Sequence, residues 1–357
     1  MSKQPITVSS KFFIRIFQCV KIDWECIRIE KNKTVMYVRS LQELEKKKDS
    51  QDSEPLFWRF QAEYIFQKSS QRQVYDKVLY DIVRHGFAGV DSVIVSLGQT
   101  YSGKTYTMLG NDSSFLLRGI APRIATELYQ KKSTYKPNEV SIYISVVEIC
   151  GTEVWDLLTK PVKKCSKLGQ VQRVLVGKEE TAIKLLFRSF KKRKAVSHAP
   201  YEGATSGALI VTYHTNVTKV IDCKPMLTES KIHCVDLPGV ETVGRSELTS
   251  FKNTLEQSWS NLNKTFLEQG ILSMKTYRVK ETVFSRSPGL IEYLGKSLST
   301  SSNLRIIGHV RLAHEDLLMT KSVLRLGAIV QSIKGDTFTP HLVPLPNSEQ
   351  EELRNKV

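Results

Sequence analysis

Eight consecutive residues have the types and order needed to bind phosphate. The segment reads Gly98, Gln99, Thr100, Tyr101, Ser102, Gly103, Lys104 and Thr105. It fits the pattern G-x-x-x-x-G-K-[ST], in which backbone N–H groups surround phosphate oxygens, the lysine adds a positive charge and the Thr105 hydroxyl binds Mg²⁺. The alternative is a glycine-rich turn with an incidental lysine. The apolar run at 93–97 favours the phosphate loop, because a buried strand precedes such loops.

A second candidate group lies where another apolar run ends, at Asp236 and Gly239. Asp236 is predicted to support the magnesium site from the second shell. Gly239 would let its backbone N–H approach the terminal phosphate, because no Cβ is in the way. The alternative is a simple strand-to-turn junction. The guanine-reading patterns N-K-x-D and T-K-x-D do not occur, so the expected ligands are ATP and Mg²⁺.

The elements around these motifs follow the order strand, helix, strand, loop, helix. This order predicts an α/β fold with a central, mostly parallel sheet and helices on both faces. Strands are expected at 12–17, 27–29, 35–38, 93–97, 140–149, 208–213, 232–237 and 304–310. Helices are expected at 71–85, 255–272 and 317–333, and a surface loop or short solvated helix at 42–54.

Composition restricts the class of protein. The chain has 357 residues, 41% of them hydrophobic, and a formal net charge of +16. It contains no long apolar run, no signal-peptide pattern and no C-x-x-C pair among its six cysteines, which predicts a soluble intracellular protein with buried, reduced thiols. The positive charge favours an acidic partner. The basic runs at 46–48, 163–167 and 188–194 are each expected to be solvated loops.

Beyond the phosphate loop, the chain resembles the kinesin motor domain from about residue 12 to about residue 334. Residues 98–108 are similar to the kinesin pattern G-Q-T-x-x-G-K-T-Y-T-M, which is much narrower than the generic loop. Further matches are residues 119–123 to G-I-I-P-R, 148–158 to E-I-Y-N-E-x-x-x-D-L-L, 236–241 to D-L-A-G-S-E, 261–266 to I-N-K-S-L, and 322–333 to the closing helix with T-L-R-F-A.

The resemblance implies an eight-stranded sheet with a nucleotide pocket at its edge. By the same resemblance Arg15 would lie beside the adenine and Tyr106 would stack on it, although the family's R-x-R-P reads R-I-F-Q here. Gly239 and Glu241 would act in switch II, the segment that senses the terminal phosphate.

The chain departs from the family in switch I, where kinesins have N-x-x-S-S-R-S-H. Alignment on the strand that follows places residues 203–207, G-A-T-S-G, over S-S-R-S-H. Ala204 has no hydroxyl and Thr205 no charge, so Glu241 lacks its expected arginine partner, for which Arg193 or Lys194 could substitute. Loss of one such group costs about 10²- to 10³-fold in rate.

The side that is expected to bind microtubules also departs from the family pattern. In the family, the segment Y-R-D-S-K-L-T-R-L-L brings basic groups to the filament, and residues 285–294 keep only Arg286. Lys264, Lys275, Arg278 and, nearby, Lys280 could add attraction to acidic tubulin tails. The alternative is that they are ordinary solvated side chains.

The predicted organisation is an N-terminal extension at 1–11, one motor domain at 12–334, and a loosely held, neck-like tail at 335–357 without a coiled coil. The predicted function is a microtubule-dependent motor ATPase at the cytoplasmic cytoskeleton that couples ATP hydrolysis to movement, with hydrolysis that the switch I departures could slow. The alternative is a degenerate kinesin that binds ATP or microtubules as a scaffold with little turnover. A nucleic-acid-binding ATPase is the third possibility, and no nucleic-acid partner and no membrane insertion are expected.

Overall fold

In the computed structural model the described residues are 5–17, 22–39, 57–196, 207–221, 224–239, 251–277, 289–339 and 342–344, with the backbone only at 194–196, 221, 251–260 and 277. The predicted loop at 42–54 lies outside them. No helix among the described residues combines the length and the apolar character needed to cross a membrane.

One large sheet forms the centre of the molecule. Its strands are β2 (Ser10–Ile16), β6 (Tyr64–Phe66), β7 (Ser92–Gly98), β8 (Val140–Cys150), β9 (Glu153–Asp156), β10 (Lys163–Cys165), β11 (Val174–Leu175), β12 (Ala208–Ile221), β13 (Lys224–Asp236), β14 (Asn303–Val310) and β16 (Val343–Pro344). The main order is β10-β9-β8-β12-β13-β7-β14-β2-β6, with β11 beside β8 and β16 beside β13.

The α/β class is confirmed, but the sheet is mixed, and its described part has eleven strands rather than eight mostly parallel ones. Strands β13, β7, β14, β2 and β6 pair in parallel. The pairs β8–β9 and β12–β13 are antiparallel. Only two residues separate the strands of each of these pairs in sequence, and a connection that short can join antiparallel strands only.

Helices cover both faces of the sheet. They are α1 (Gln71–Leu79), α2 (Ile82–Gly86), α3 (Lys104–Met108), α4 (Ile120–Lys132), α5 (Glu179–Val196), α6 (Phe251–Tyr277), α7 (Leu290–Leu294) and α8 (Leu317–Gln331). The predicted helix at 71–85 is interrupted at Tyr80 and Asp81. Helices α4 and α5 were not predicted, and α5 contains the basic run 188–194 that was expected to be a loop.

Buried side chains alternate in direction along the strands, so the sheet has a hydrophobic core on each face. Phe12 and Ile14 of β2 pack with α6, α7 and α8 on one face, whereas Phe13 packs with α1, α2, α4 and α5 on the other. Side chains of successive strand residues point to opposite faces, so each buried strand serves both cores. The described cysteines Cys26, Cys150, Cys165 and Cys234 are buried, as expected.

Two small sheets complete the fold. One consists of β3 (Ile27–Ile29), β4 (Val35–Arg39) and β5 (Phe57–Gln61). The other joins the chain ends, because β1 (Ile6–Thr7) pairs with β15 (Thr337–Phe338). Strand β16 also pairs with β13. The described part of the tail is therefore held by main-chain pairing, which corrects the expectation of a loose extension.

Candidate nucleotide site

The phosphate loop lies between β7 and α3, as its sequence predicts. Gly103 precedes α3 with φ of 89°, a left-handed conformation that side chains with a Cβ rarely adopt. Tyr101 also has a positive φ, of 59°, and its side chain is exposed. The pattern glycine at position 103 is therefore required by the backbone.

The loop is closed by contacts to one of its own carbonyl oxygens. Lys104 Nζ donates to the carbonyl oxygen of Gln99 at 2.6 Å, and Ser102 Oγ donates to the same oxygen at 2.7 Å. Lys104 is only 7% exposed. These contacts keep the positive charge of the lysine inside the loop.

Asp236 lies beside the loop, at the end of β13, and accepts hydrogen bonds from three elements. Thr105 Oγ1 on α3 donates to its Oδ2 at 2.7 Å, and Ser96 Oγ on β7 donates to its Oδ1 at 3.1 Å. The third donor is Arg193 on α5, at 3.2 Å from Oδ2. A hydroxyl and a carboxylate are the hard oxygen ligands that suit Mg²⁺, so the side chains present fit that ion.

Arg193 connects Asp236 to a second buried carboxylate. Its Nε donates to Glu148 Oε1 at 2.8 Å, and its Nη2 donates to the carbonyl oxygen of Gly207 at 2.6 Å. All three charged groups are almost fully buried. Burial raises the pKa of Glu148, while the Arg193 charge opposes that rise and the nearby Asp236 adds to it. Arg193, which the sequence offers as a substitute partner for Glu241, thus contacts Asp236 and Glu148, and its pairing with Glu241 stays a prediction.

Gly239 lies directly against the phosphate loop. A Cβ at this position would lie 2.0 Å from Thr100 Oγ1 and 2.6 Å from Thr100 Cα. Only a residue without a side chain allows this approach, and the backbone of the 236–239 segment therefore reaches the loop. Its partner in the prediction, Glu241, lies outside the described residues, as do Ala204 and Thr205.

The predicted base-binding residues Arg15 and Tyr106 are adjacent, and the Arg15 guanidinium donates hydrogen bonds to neighbouring side chains. Its guanidinium lies 5.6 Å from the centre of the Tyr106 ring and donates to Thr107 Oγ1 at 2.8 Å and Gln71 Oε1 at 2.9 Å. Burial lowers the pKa of Arg15 to about 10. Tyr106 is 44% exposed, so its ring remains accessible.

Sequence reasoning missed two buried contacts of the loop region. Gln99 Nε2 donates to Asp316 Oδ1 at 3.0 Å, and Arg311 Nε donates to the other oxygen of Asp316 at 2.9 Å. Thr107 Oγ1 lies 2.6 Å from His309 Nε2. Both contacts join the loop region to β14 and the start of α8, about 200 residues away in sequence, and no local pattern indicates them.

Of the four residues predicted to face a microtubule, two are described. Lys264 on α6 is partly buried, with Nζ 2.7 Å from Ser322 Oγ on α8 and 3.6 Å from Glu268. Lys275 is exposed. Arg278 and Arg286 lie outside the described residues. Lys264 therefore takes part in helix packing, and a role for these residues in filament binding stays a prediction.

The mixed sheet, the phosphate loop and the Asp236 carboxylate define an α/β protein of the P-loop class. The family model described as the kinesin motor domain matches residues 24–333. The chain belongs to the kinesin motor-domain family.

Individual relatives agree with this assignment. The chain is 27% identical over 285 residues to the kinesin-like protein KIF9 of Homo sapiens, covering 76% of this chain and 36% of that protein. It is 28% identical over 290 residues to the kinesin heavy chain of Caenorhabditis elegans, covering 76% and 35%. A solved structure of a fast kinesin superimposes with a TM-score of 0.74 at 20% identity, over 95% of both chains. The matched region spans about a third of the length of these two relatives.

Proposed function

We propose that this chain is the motor domain of a microtubule-dependent ATPase. The observation that carries the proposal is the contact between Thr105 Oγ1 and Asp236 Oδ2 at 2.7 Å, beside a complete phosphate loop. In this proposal the loop binds the phosphates of ATP, and the partners are microtubules of the cytoplasmic cytoskeleton. The motor unit would extend over residues 12–334, with 335–357 as its neck-like tail.

The proposed roles follow from the position of each group. The backbone of residues 98–103 and the charge of Lys104 bind phosphate, and Tyr106 offers an exposed ring for the base. Thr105 and Asp236 support Mg²⁺, which when bound neutralises charge on the phosphate oxygens. Gly239 reports the state of the phosphate end, because its backbone touches Thr100 of the loop.

The second candidate function is a kinesin-family protein that binds nucleotide but hydrolyses it slowly or not at all. Arg193 favours it, because its guanidinium bonds to the Asp236 oxygen that also accepts from Thr105. Ala204 and Thr205 favour it as well, since neither provides the side chain of the switch I pattern. In this case the chain would serve as a nucleotide-dependent scaffold or regulator on microtubules.

Microtubule-stimulated phosphate release separates the two functions. Phosphate release that rises on addition of microtubules, to within an order of magnitude of an ordinary kinesin, supports the motor and removes the scaffold. Undetectable turnover, with ATP affinity retained in a filter-binding or fluorescence assay, supports the scaffold and removes the motor.

Lys104→Ala tests the phosphate loop itself. Loss of a charged hydrogen-bond donor is expected to weaken ATP binding about 10- to 100-fold. Equilibrium binding of a fluorescent ATP analogue measures the effect, and Lys131→Ala on α4, which removes an exposed lysine, is the control. Unchanged affinity in Lys104→Ala would show that this loop does not bind the nucleotide.

A further inference from the structure

Three side chains that commonly bind metals meet at the turn before β3, away from the phosphate loop. Asp23 and Cys26 come from that turn, and His314 comes from the short turn that precedes α8. One ligand atom from each residue lies within 4.8 Å of the other two. The two segments are almost 300 residues apart in sequence, so the fold itself brings these groups together.

The backbone around the cluster is held by hydrogen bonds. Asp23 N donates to the carbonyl oxygen of Leu312 at 2.9 Å, which ties the two segments to each other. Asp23 Oδ1 accepts from Glu25 N at 3.1 Å and from Cys26 N at 3.3 Å, so the turn is fixed by its own carboxylate. Arg39 N donates to the carbonyl oxygen of Cys26 at 2.8 Å. The positions of the three Cα atoms are therefore largely determined before any ligand binds.

The donor set selects the kind of ion. A thiolate, an imidazole and a carboxylate together suit zinc, whereas Mg²⁺ and Ca²⁺ prefer oxygen ligands alone. Cys26 is 4% exposed, which shields the sulfur, while His314 is exposed and leaves a path for the ion to enter. Ligand atoms of a tetrahedral zinc site lie about 3.5 Å apart, so small side-chain rotations would bring atoms within 4.8 Å to that spacing.

We propose that Asp23, Cys26 and His314 bind a zinc ion and leave its fourth position to solvent. The ion would clamp the turn before β3 to the turn before α8. The second of these turns also contains Asp316, which accepts from Gln99 of the phosphate loop at 3.0 Å. The proposed ligand His314 is therefore two residues from Asp316, which is hydrogen-bonded to the phosphate loop.

Titration of the metal-free full chain with Zn²⁺ tests the site, with saturating Mg²⁺ present to occupy oxygen-only sites. Calorimetry is expected to show one tight zinc per chain, and Co²⁺ in place of Zn²⁺ is expected to give a thiolate-to-metal charge-transfer absorption band. Cys26→Ser should abolish that band and weaken Zn²⁺ binding by about 100-fold or more, since even outer contacts of a zinc site change affinity 10- to 100-fold.

Two further variants keep the test decisive. His314→Ala removes an exposed ligand, so it should fold normally and still weaken Zn²⁺ binding by a similar factor. Cys165→Ser on β10, at an edge of the main sheet and outside the cluster, removes another buried thiol and should leave the zinc affinity and the Co²⁺ band unchanged. Zinc binding that is absent, or that persists at full strength in Cys26→Ser and His314→Ala, would overturn the proposal.

Discussion

At the scale of single residues, Arg193 is a buried cation with two buried carboxylate partners. It lies between Glu148 and Asp236, and all three side chains are at most 3% exposed. A buried ion pair adds little net stability compared with an apolar packing, but removal of one partner leaves a buried charge without compensation. Arg193 is therefore needed mainly to compensate the charge of the two buried carboxylates.

Replacement of Arg193 by alanine is expected to reduce the free energy of unfolding by about 3–5 kcal/mol, because both carboxylates lose their counter-charge. Urea unfolding followed by circular dichroism measures the loss. Lys191→Ala, two residues earlier on α5 and largely exposed, is the matched control and should change stability by no more than about 0.5 kcal/mol. A loss below about 1 kcal/mol for Arg193→Ala would argue against a buried triad.

Gly239→Ala tests the approach of the 236–239 segment to the phosphate loop. The new methyl group would overlap Thr100, whose Cα lies 2.6 Å from an ideal Cβ, and overpacking of this kind costs about 1–3 kcal/mol. Thermal unfolding without nucleotide should show this loss, and ATP binding should weaken as the 236–239 segment moves away. Gly177→Ala, where nothing lies within 4 Å of the added Cβ, should match the wild type. Equal behaviour of the two variants would contradict the described contact.

The residues of the phosphate loop could be predicted because their function depends on local order along the chain. Gly103 and Lys104 belong to one continuous pattern, and Asp236 follows a clear apolar run. The contact of Gln99 with Asp316 could not be predicted, because it spans 217 residues and depends on how β7 and β14 pair. The burial of Arg193 could not be predicted either, although the sequence offers it as a substitute arginine, because composition does not tell which lysine or arginine of the basic run faces inward.

At the scale of elements, helix α5 shows why the prediction of a solvated loop at 188–194 is wrong. Lys191 is 77% exposed and Arg193 only 2%. Residues two positions apart lie on different faces of a helix, so one basic run can include both a solvated charge and a buried one. The lengths of two strands also differ from the prediction. Strands β12 and β13 extend well beyond their predicted apolar segments because hairpin pairing continues through polar residues, from Leu209–Asp236 to Ile221–Lys224.

The pairing of β1 with β15 gives a prediction about hydrogen exchange in β1. Gly335 lies so close to Val8 that an added Cβ would be 2.1 Å from the Val8 carbonyl oxygen. Gly335→Ala should push the tail away from β1 and raise hydrogen exchange at Ile6 and Thr7, while the overall melting temperature changes little because each strand has two residues. Gly169→Ala, which meets no atom within 4 Å, is the control. Unchanged exchange at residues 6 and 7 would count against this pairing.

At the scale of the whole molecule, the sheet separates two cores that each contain buried polar groups. Three buried histidines lie on its described strands: His214, His233 and His309. Burial lowers the pKa of His214 to about 3 and holds the pKa of His233 and His309 well below the usual value. All three are therefore neutral in the folded protein at physiological pH.

These histidines predict how stability depends on pH. In the unfolded chain they take up protons near pH 6.5, whereas the folded chain does not, so the free energy of unfolding should fall as the pH drops below about 6.5. Each histidine contributes about 1.4 kcal/mol per pH unit once the pH is well below that value. Asp91 and Glu148, whose pKa burial raises, should offset part of this loss at lower pH, because they bind protons more readily in the folded state.

Urea unfolding at pH 7.5, 6.5 and 5.5 measures the effect. The wild type should lose stability mainly between the last two values, and His214→Gln should show a shallower dependence by about 1.4 kcal/mol per pH unit or less. A pH dependence that is identical in the variant would show that His214 is not kept neutral by the fold.

The position of Asp236 has one more consequence. Its two oxygens receive donors from β7, α3 and α5, so a single carboxylate connects three elements that are otherwise separate in sequence. A cation that approaches this carboxylate has to share it with Arg193 or displace it. In the proposed function, a bound cation would therefore compete with the contact that holds the C-terminal part of α5, and this helix would respond to the occupancy of a loop to which it contributes no atom.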